Sequence, residues 1–278
     1  MLHLTNAPIA QYSTFNIGGI AKDIYIPQNI DELIDIATTY PNAIILGNGS
    51  KILFPDSPLT TPLILTNHLK NISVTNNTIT ADCGVHLAKL NQVALKYSLT
   101  GLEFSYGIPG RLGGAIFMNA GAHGGEFADI IHSVTYLKNG KVMSTTSPSF
   151  SYRSSQFKTD GGIILQATLK LSNGNANDIK AKMSQLIALR VASQPLNHPN
   201  CGSTFKRING EAVYKYIDGV NMRGVKCGGA QVSTKHSGFI VNLGGATARD
   251  VTTLVKTIKQ KVKDKYNINL QEEMITIS

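Results

Sequence analysis

Apolar positions along this chain follow two periods, and the switch between them marks most of its elements. Ile30, Leu33, Ile34 and Ala37 recur at helical spacing behind Asn29-Ile-Asp-Glu32, a stretch that resembles a capping box. Ala43–Leu46 is a short apolar run of strand type that leads directly into Gly47-Asn48-Gly49-Ser50. Ile72–Val74 and Ile79–Ala81 alternate around Asn76-Asn77 and predict a hairpin. Val85–Ser98 predicts a helix with Leu87, Leu90, Ala94 and Tyr97 on one face. Val134–Leu137 meets Asn139-Gly140, the dipeptide that best accommodates a tight hairpin turn. Ile163, Leu165, Ala167, Leu169 and Leu171 lie on one side of a strand over 163–171. A polar turn over 172–177 is the best candidate for a domain boundary, and a helix is expected from about Asp178 to Ala192. Thr247 and Asp250 cap a last helix whose stripe is Val251, Leu254, Val255, Ile258, Val262 and Tyr266. Strands and helices mix without a regular βα rhythm, which indicates an α+β fold.

One stretch fits neither period. Gly101–Gly125 reads GLEFSYGIPGRLGGAIFMNAGAHGG, with glycine at 101, 107, 110, 113, 114, 121, 124 and 125. Glycine there permits left-handed backbone or close approach, and Pro109 fixes one φ between two of them. The intervening residues are apolar, which excludes a flexible linker. Two readings stay open: backbone wrapped around a large flat or phosphorylated ligand, or a tight crossing inside a core. Gly47–Ser50 adds a strand that ends in a glycine turn, a form that can aim successive N–H groups at a phosphate. Its spacing is neither GxGxxG nor GxxxxGK[ST], so the Rossmann and P-loop readings both fail.

Composition narrows the class. The chain has 278 residues, 42% of them hydrophobic, enough for one large domain or two to three small ones. No run approaches the ~20 apolar residues of a membrane span. The N-terminal stretch lacks the pattern of a signal peptide. Cys83, Cys201 and Cys227 have no CxxC spacing and the seven histidines are scattered, so no metal site is expected. A cytoplasmic setting follows as an expectation. The net charge of +9 lies wholly in the last third: 11 basic and 11 acidic residues over 1–179, against 15 and 6 over 180–278. With no Trp and few Phe near these charges, the pattern is not that of a nucleic-acid platform. A solvated helix face and the steering of a polyanionic substrate both account for it.

Seven blocks then carry a resemblance that runs from about Tyr12 to the end: TFNIGG at 14–19, GNGSKILFPD at 47–56, GIPGRLGGAIFMNAGAHGGE at 107–126, SYRSSQFK at 151–158, ALRVASQP at 188–195, GSTFKR at 202–207 and GGAQVSTKHSGFIVN at 228–242. In this order they resemble the UDP-N-acetylenolpyruvoylglucosamine reductase (MurB) family in its shorter type II form. The run between Arg153 and Arg190 leaves no room for the insertion of the longer subgroup.

The resemblance implies an α+β chain: a two-subdomain, PCMH-type (VAO-like) FAD-binding module followed by an α+β substrate-binding domain. The boundaries are 1–66 and 67–172 for the two FAD-binding subdomains and 173–278 for the UDP-sugar domain, whose tail can return to the FAD module. It implies a UDP-N-acetylmuramate dehydrogenase of peptidoglycan precursor synthesis, with non-covalent FAD and with NADPH as hydride donor. The partner is a small molecule, UDP-N-acetylglucosamine enolpyruvate; neither nucleic acid nor membrane is expected, and the protein is expected to be a monomer. Gly47, Asn48, Gly49 and Ser50 match the pyrophosphate loop. Gly107, Ile108, Pro109, Gly110, Gly113 and Gly114 match the second phosphate and flavin contact, with Asn119 and Gly121 along the cofactor. Arg153, Ser203 and Glu273 match the catalytic set: a cation for the substrate carboxylate, the proton donor, and the glutamate that works with the arginine. Tyr152, Arg190, Lys206 and Gln231 match substrate-binding positions, with the charge of Lys206 expected to assist Ser203.

The chain departs from the family pattern at four points. Lys51 stands where Asn is usual, and a cation there is compatible with a pyrophosphate. Arg111 replaces a small hydroxyl residue, so it either pairs with a phosphate or points away. His123 stands where Tyr is common. Glu272 stands where Pro is usual, and register from Leu270 selects Glu273 over Glu272 as the inward glutamate.

Overall fold

The computed structural model describes all 278 residues. Contacts divide the chain into two compact units, each built from separated segments. The first comprises Met1–Thr5, Asp23–Asn48 and Thr61–Arg190; the second comprises Asn6–Lys22, Gly49–Thr60 and Val191–Ser278.

The first unit contains two sheets that share one core. Short strands Ile44–Leu46 and Leu63–Leu65 run parallel, and Ile24 and Tyr25 pair with Leu63 and Ile64 on the other side. Such short, fully apolar strands are typical of a parallel sheet covered on both faces. The second sheet is antiparallel, in the order Lys141–Thr145, Ile131–Lys138, Ile163–Lys170, Thr78–Asp82, Ile72–Thr75. Its two hairpins fall where the sequence expects them. Asn139 and Gly140 both take positive φ, 52° and 71°, the turn whose twist matches the flanking strands. Leu165, Ala167 and Leu169 point inward from the central strand onto Leu87, Leu90, Ile116 and Phe127.

Helix Ile30–Thr39 starts at Asn29, whose Oδ1 accepts from Glu32 N at 2.9 Å. Only half of the expected capping box forms, because the Glu32 carboxylate accepts from Gln28 N at 2.9 Å and pairs with the N-terminal ammonium. The next helix is shorter than expected, Leu87–Lys96. Tyr97 therefore lies past the last turn and is 51% exposed instead of joining Leu87, Leu90 and Ala94 inside. Residues 172–173 form a strand on Leu99–Thr100, and the helix that follows runs Ala176–Ser193 behind the Asn175 side chain.

The second unit has a four-stranded antiparallel sheet in the order Asn200–Ser203, Phe239–Asn242, Ala230–Val232, Lys226–Cys227. Helix Ala248–Tyr266 lays Val251, Leu254, Val255, Ile258 and Val262 against it, each at most 3% exposed. Here the reciprocal box is complete: Thr247 Oγ1 accepts from Asp250 N, and Asp250 Oδ2 accepts from Thr247 N at 3.0 Å. The chain ends as a strand, Ile275–Thr276, parallel to Ile52–Leu53. Helices beside antiparallel and short parallel sheets make an α+β fold, as the sequence indicates.

Candidate active site

In the first unit, the two glycine-rich stretches meet. Gly47 ends the strand Ile44–Leu46, and a Cβ built on it would lie 4.0 Å from Gly114 N and 3.5 Å from Arg111 Cβ. Asn48 ties the stretches together by donating from Nδ2 to the Pro109 carbonyl at 3.1 Å. Gly113 packs against Cys83, just past strand Thr78–Asp82, donating to Cys83 O at 2.8 Å, and burial pushes the Cys83 thiol up to about 12. A Cβ on Gly114 would meet nothing within 4 Å. Gly107, with φ of 85°, lies against Arg190, whose Cδ would be 3.3 Å from an added Cβ. Ile108 N and Gly110 N close the turn around Pro109 through Ser105 O and Ile108 O.

Two half-buried guanidinium groups flank these turns, Arg111 near Gly47 and Arg190 near Gly107. Arg111 donates from Nη1 to Gly84 O at 2.6 Å, while its Nε–H is buried without a partner; Arg190 Nε is in the same state. Burial lowers the pKa of both. A buried, unpaired N–H on a cation costs free energy until an acceptor meets it. Two such cations beside glycine backbone, with open space over Gly114, fit the pyrophosphate and flat ring of FAD.

Further along, Asn119 is fully buried and left-handed, with φ of 42°. Its side chain is committed to backbone, donating to Ser151 O at 3.2 Å and accepting from Ala128 N at 3.0 Å. That places the carbonyls of Asn119 and Gly121 under Arg153, which donates to them at 3.4 and 2.9 Å. The Arg153 guanidinium also stacks 5.0 Å over the ring of Tyr152, which is 44% exposed.

The second unit brings three residues of the chain together around one ammonium. Lys51 Nζ lies 2.8 Å from Glu273 Oε1 and donates to Ser203 O at 2.8 Å. Glu273 is buried at 7%, and its N–H donates to Thr204 O at 2.9 Å. Glu272 turns the other way, 2.8 Å from Lys259 on the long helix. Register alone selects between these glutamates in the sequence; burial and pairing separate them in the structure. The cation at Ser203 is Lys51, a residue whose only sequence signal is a lysine directly after the Gly-Ser turn. Lys206 is tied by its main chain to Gln271 O at 2.8 Å. Gly49, with φ of 61°, has no room for a Cβ, which would overlap Tyr12 O, and Ser50 follows it. Gln231 lines a cavity of about 310 Å³ with Gln194, Pro195, Ser233 and Lys235, and donates from Nε2 to Gly224 O at 2.9 Å.

Comparison with known proteins gives the family. Residues 22–146 match the FAD binding domain, and residues 194–277 match the C-terminal domain of UDP-N-acetylenolpyruvoylglucosamine reductase. The chain is 41% identical to UDP-N-acetylenolpyruvoylglucosamine reductase of Syntrophomonas wolfei, covering 97% of this chain and 93% of that one. The chain belongs to the UDP-N-acetylenolpyruvoylglucosamine reductase family. The enzyme of the same name from Lactobacillus acidophilus is likewise 41% identical, with 96% and 92% covered. The crystal structure of UDP-N-acetylenolpyruvylglucosamine reductase from Thermus caldophilus superposes with a TM-score of 0.86 at 30% identity, covering 100% of this chain and 98% of that one. Within the reductase family frame, the matched FAD binding domain contains Gly47, Arg111, Gly114 and Asn119, and the matched C-terminal domain contains Ser203, Lys206, Gln231 and Glu273. Tyr152, Arg153 and Arg190 fall between the two matches.

Proposed function

We infer that this protein is an FAD-dependent oxidoreductase that reduces UDP-N-acetylglucosamine enolpyruvate to UDP-N-acetylmuramate with NADPH, a step of peptidoglycan precursor synthesis. The observation that carries the reading is the cluster of Lys51, Ser203 and Glu273, which sets a buried carboxylate and a hydroxyl-bearing residue around one ammonium. FAD, when bound, supplies the redox chemistry by passing hydride from NADPH to the methylene carbon of the enolpyruvyl ether. Gly47, Asn48, Gly107–Gly114 and Arg111 are the residues of the first unit that would hold it; Arg190, a substrate position by the sequence, joins them because it lies against Gly107.

The rest is the work of the chain's own side chains. As hydride reaches the methylene carbon, negative charge grows on the neighbouring carbon and spreads into the carboxylate. A fixed guanidinium aimed at that charge lowers the barrier, and we assign this to Arg153, whose planar fork suits a carboxylate. Its hydrogen bonds to Asn119 O and Gly121 O hold the fork in place before substrate arrives. We assign delivery of the proton to Ser203 Oγ, with Glu273 as the arginine's companion at the carboxylate. Tyr152, Lys206 and Gln231 are assigned to the sugar nucleotide, whose phosphates suit the basic last third. No helix is long and apolar enough to cross a membrane. We take the working form to be a cytoplasmic monomer.

The test is NADPH oxidation by purified, flavin-loaded protein. Oxidation that depends on added UDP-N-acetylglucosamine enolpyruvate, with UDP-N-acetylmuramate as product, is expected. Oxidation that proceeds equally with oxygen alone would replace the reading with a flavin oxidase.

A further inference from the structure

Lys51 lies in the segment that leads into strand Ile52–Leu53, far in sequence from both groups it touches. Its ammonium has three N–H donors. One points at Glu273 Oε1 and one at the Ser203 carbonyl, both at 2.8 Å. The backbone carbonyl of Lys51 accepts from Ile275 N at 2.7 Å, so the residue is anchored at both ends to the C-terminal strand. Glu273 N and Met274 N in turn donate to Thr204 O, the residue after Ser203. The neighbouring Gly202, with φ of 75°, makes room for the ammonium: a Cβ there would come within 3.2 Å of Nζ.

This is an arrangement for position and charge together. A carboxylate at 7% exposure is stable as an anion only if a cation or several donors compensate it. Lys51 supplies that cation, and the same nitrogen pins the main chain of Ser203. The side chain of Lys51 is 23% exposed, so water screens the pair only weakly. The nearby buried Cys201 thiol is pushed by burial up to about 11, so it adds no charge to the pair.

We propose that Lys51 is a positioning residue for the protonation half of the reaction: its ammonium fixes Ser203 and Glu273 relative to each other. The proposal rests on the assignment of Ser203 and Glu273 to that half-reaction. It differs from the role of a pyrophosphate partner that the sequence position of Lys51 suggests.

The experiment follows both half-reactions by anaerobic stopped-flow flavin absorbance in flavin-loaded Lys51→Met and Lys51→Asn. Reduction by NADPH is expected to stay within about twofold of the parent, as for an independent site. Reoxidation by UDP-N-acetylglucosamine enolpyruvate is expected to slow by roughly tenfold or more, the scale of coupling within one hydrogen-bonded network. In a Glu273→Gln background the further loss on adding Lys51→Met should be smaller than in the parent, since the ion pair is already gone and only the Ser203 contact remains to be lost. If Lys51→Met is not recovered folded, Lys51→Asn is read on the same scale. Equal slowing of both halves, an unchanged reoxidation rate, or an undiminished loss in the Glu273→Gln background each overturns the proposal. Failure of the parent protein to be reoxidised by the enolpyruvyl substrate overturns the functional reading itself, and the proposal with it.

Discussion

Arg153 donates from Nη2 to the carbonyl of Gly121 at 2.9 Å while its own backbone is left-handed, with φ of 55°. A non-glycine residue held there costs on the order of 1–3 kcal/mol and persists only where its surroundings over-determine it. The buried Asn119 side chain provides that constraint by fixing the carbonyls that Arg153 reaches. The guanidinium is thus aimed by backbone and is not left to a flexible tether.

Arg153→Lys keeps the charge and loses the fork, so the planar pair of donors that matches a carboxylate is gone. Reoxidation of reduced flavin by the enolpyruvyl substrate should slow by about 10²-fold or more, the loss typical of a removed transition-state donor. Flavin content should be unchanged. A variant with parental reoxidation kinetics would remove Arg153 from the chemistry.

Ser203→Ala divides the reaction. Flavin reduction by NADPH delivers no proton to the enolpyruvyl carbon and should be intact. Reoxidation needs that proton, and a positioned general acid is worth about 10²–10⁴-fold. Stopped-flow absorbance reads the two steps separately. Equal slowing of both would make Ser203 a turn residue and nothing more.

Gly114 is the place to test the cofactor cradle. A Cβ there meets nothing within 4 Å, so Gly114→Val should fold with unchanged far-ultraviolet dichroism and melt like the flavin-free parent. It should lose flavin on gel filtration, because the new methyl groups occupy the space assigned to the cofactor. Full flavin content in a folded variant would move the site elsewhere. Gly49→Val is a different experiment: φ of 61° and the overlap with Tyr12 O predict lost stability whether or not flavin is present.

The fourth prediction concerns acid stability. Burial lowers the pKa of His236, and its Nδ1 accepts from Gly238 N at 3.2 Å, which requires that nitrogen to be unprotonated. The unfolded chain binds its proton near the ordinary histidine value of about 6.5, and the folded chain binds it only at lower pH. Stability is therefore complete above about 6.5 and declines as pH falls from there toward the lowered folded value. His86, also lowered by burial, adds to the same slope. Urea midpoints between neutral and mildly acid pH should show the decline, and His236→Gln should make it shallower. Superimposable pH profiles for parent and variant would count against it.

The sequence alone determines what depends on near neighbours. Helix stripes such as Val251 to Val262, the cap at Thr247 and the Asn139-Gly140 turn are set by residues a few positions apart, so periodicity and turn chemistry suffice to read them. The glycine blocks also declare the family, because close backbone approach restricts residue type wherever it occurs. Tertiary structure decides what depends on partners distant along the chain. Only packing makes Glu273 the buried glutamate and sends Glu272 to Lys259. Only packing turns Lys51 toward Ser203 and Glu273, and only backbone clash with Tyr12 makes Gly49 obligatory. The physical reason is that burial and pairing of a long side chain are set by which distant segments surround it, and neither local propensity nor spacing carries that information.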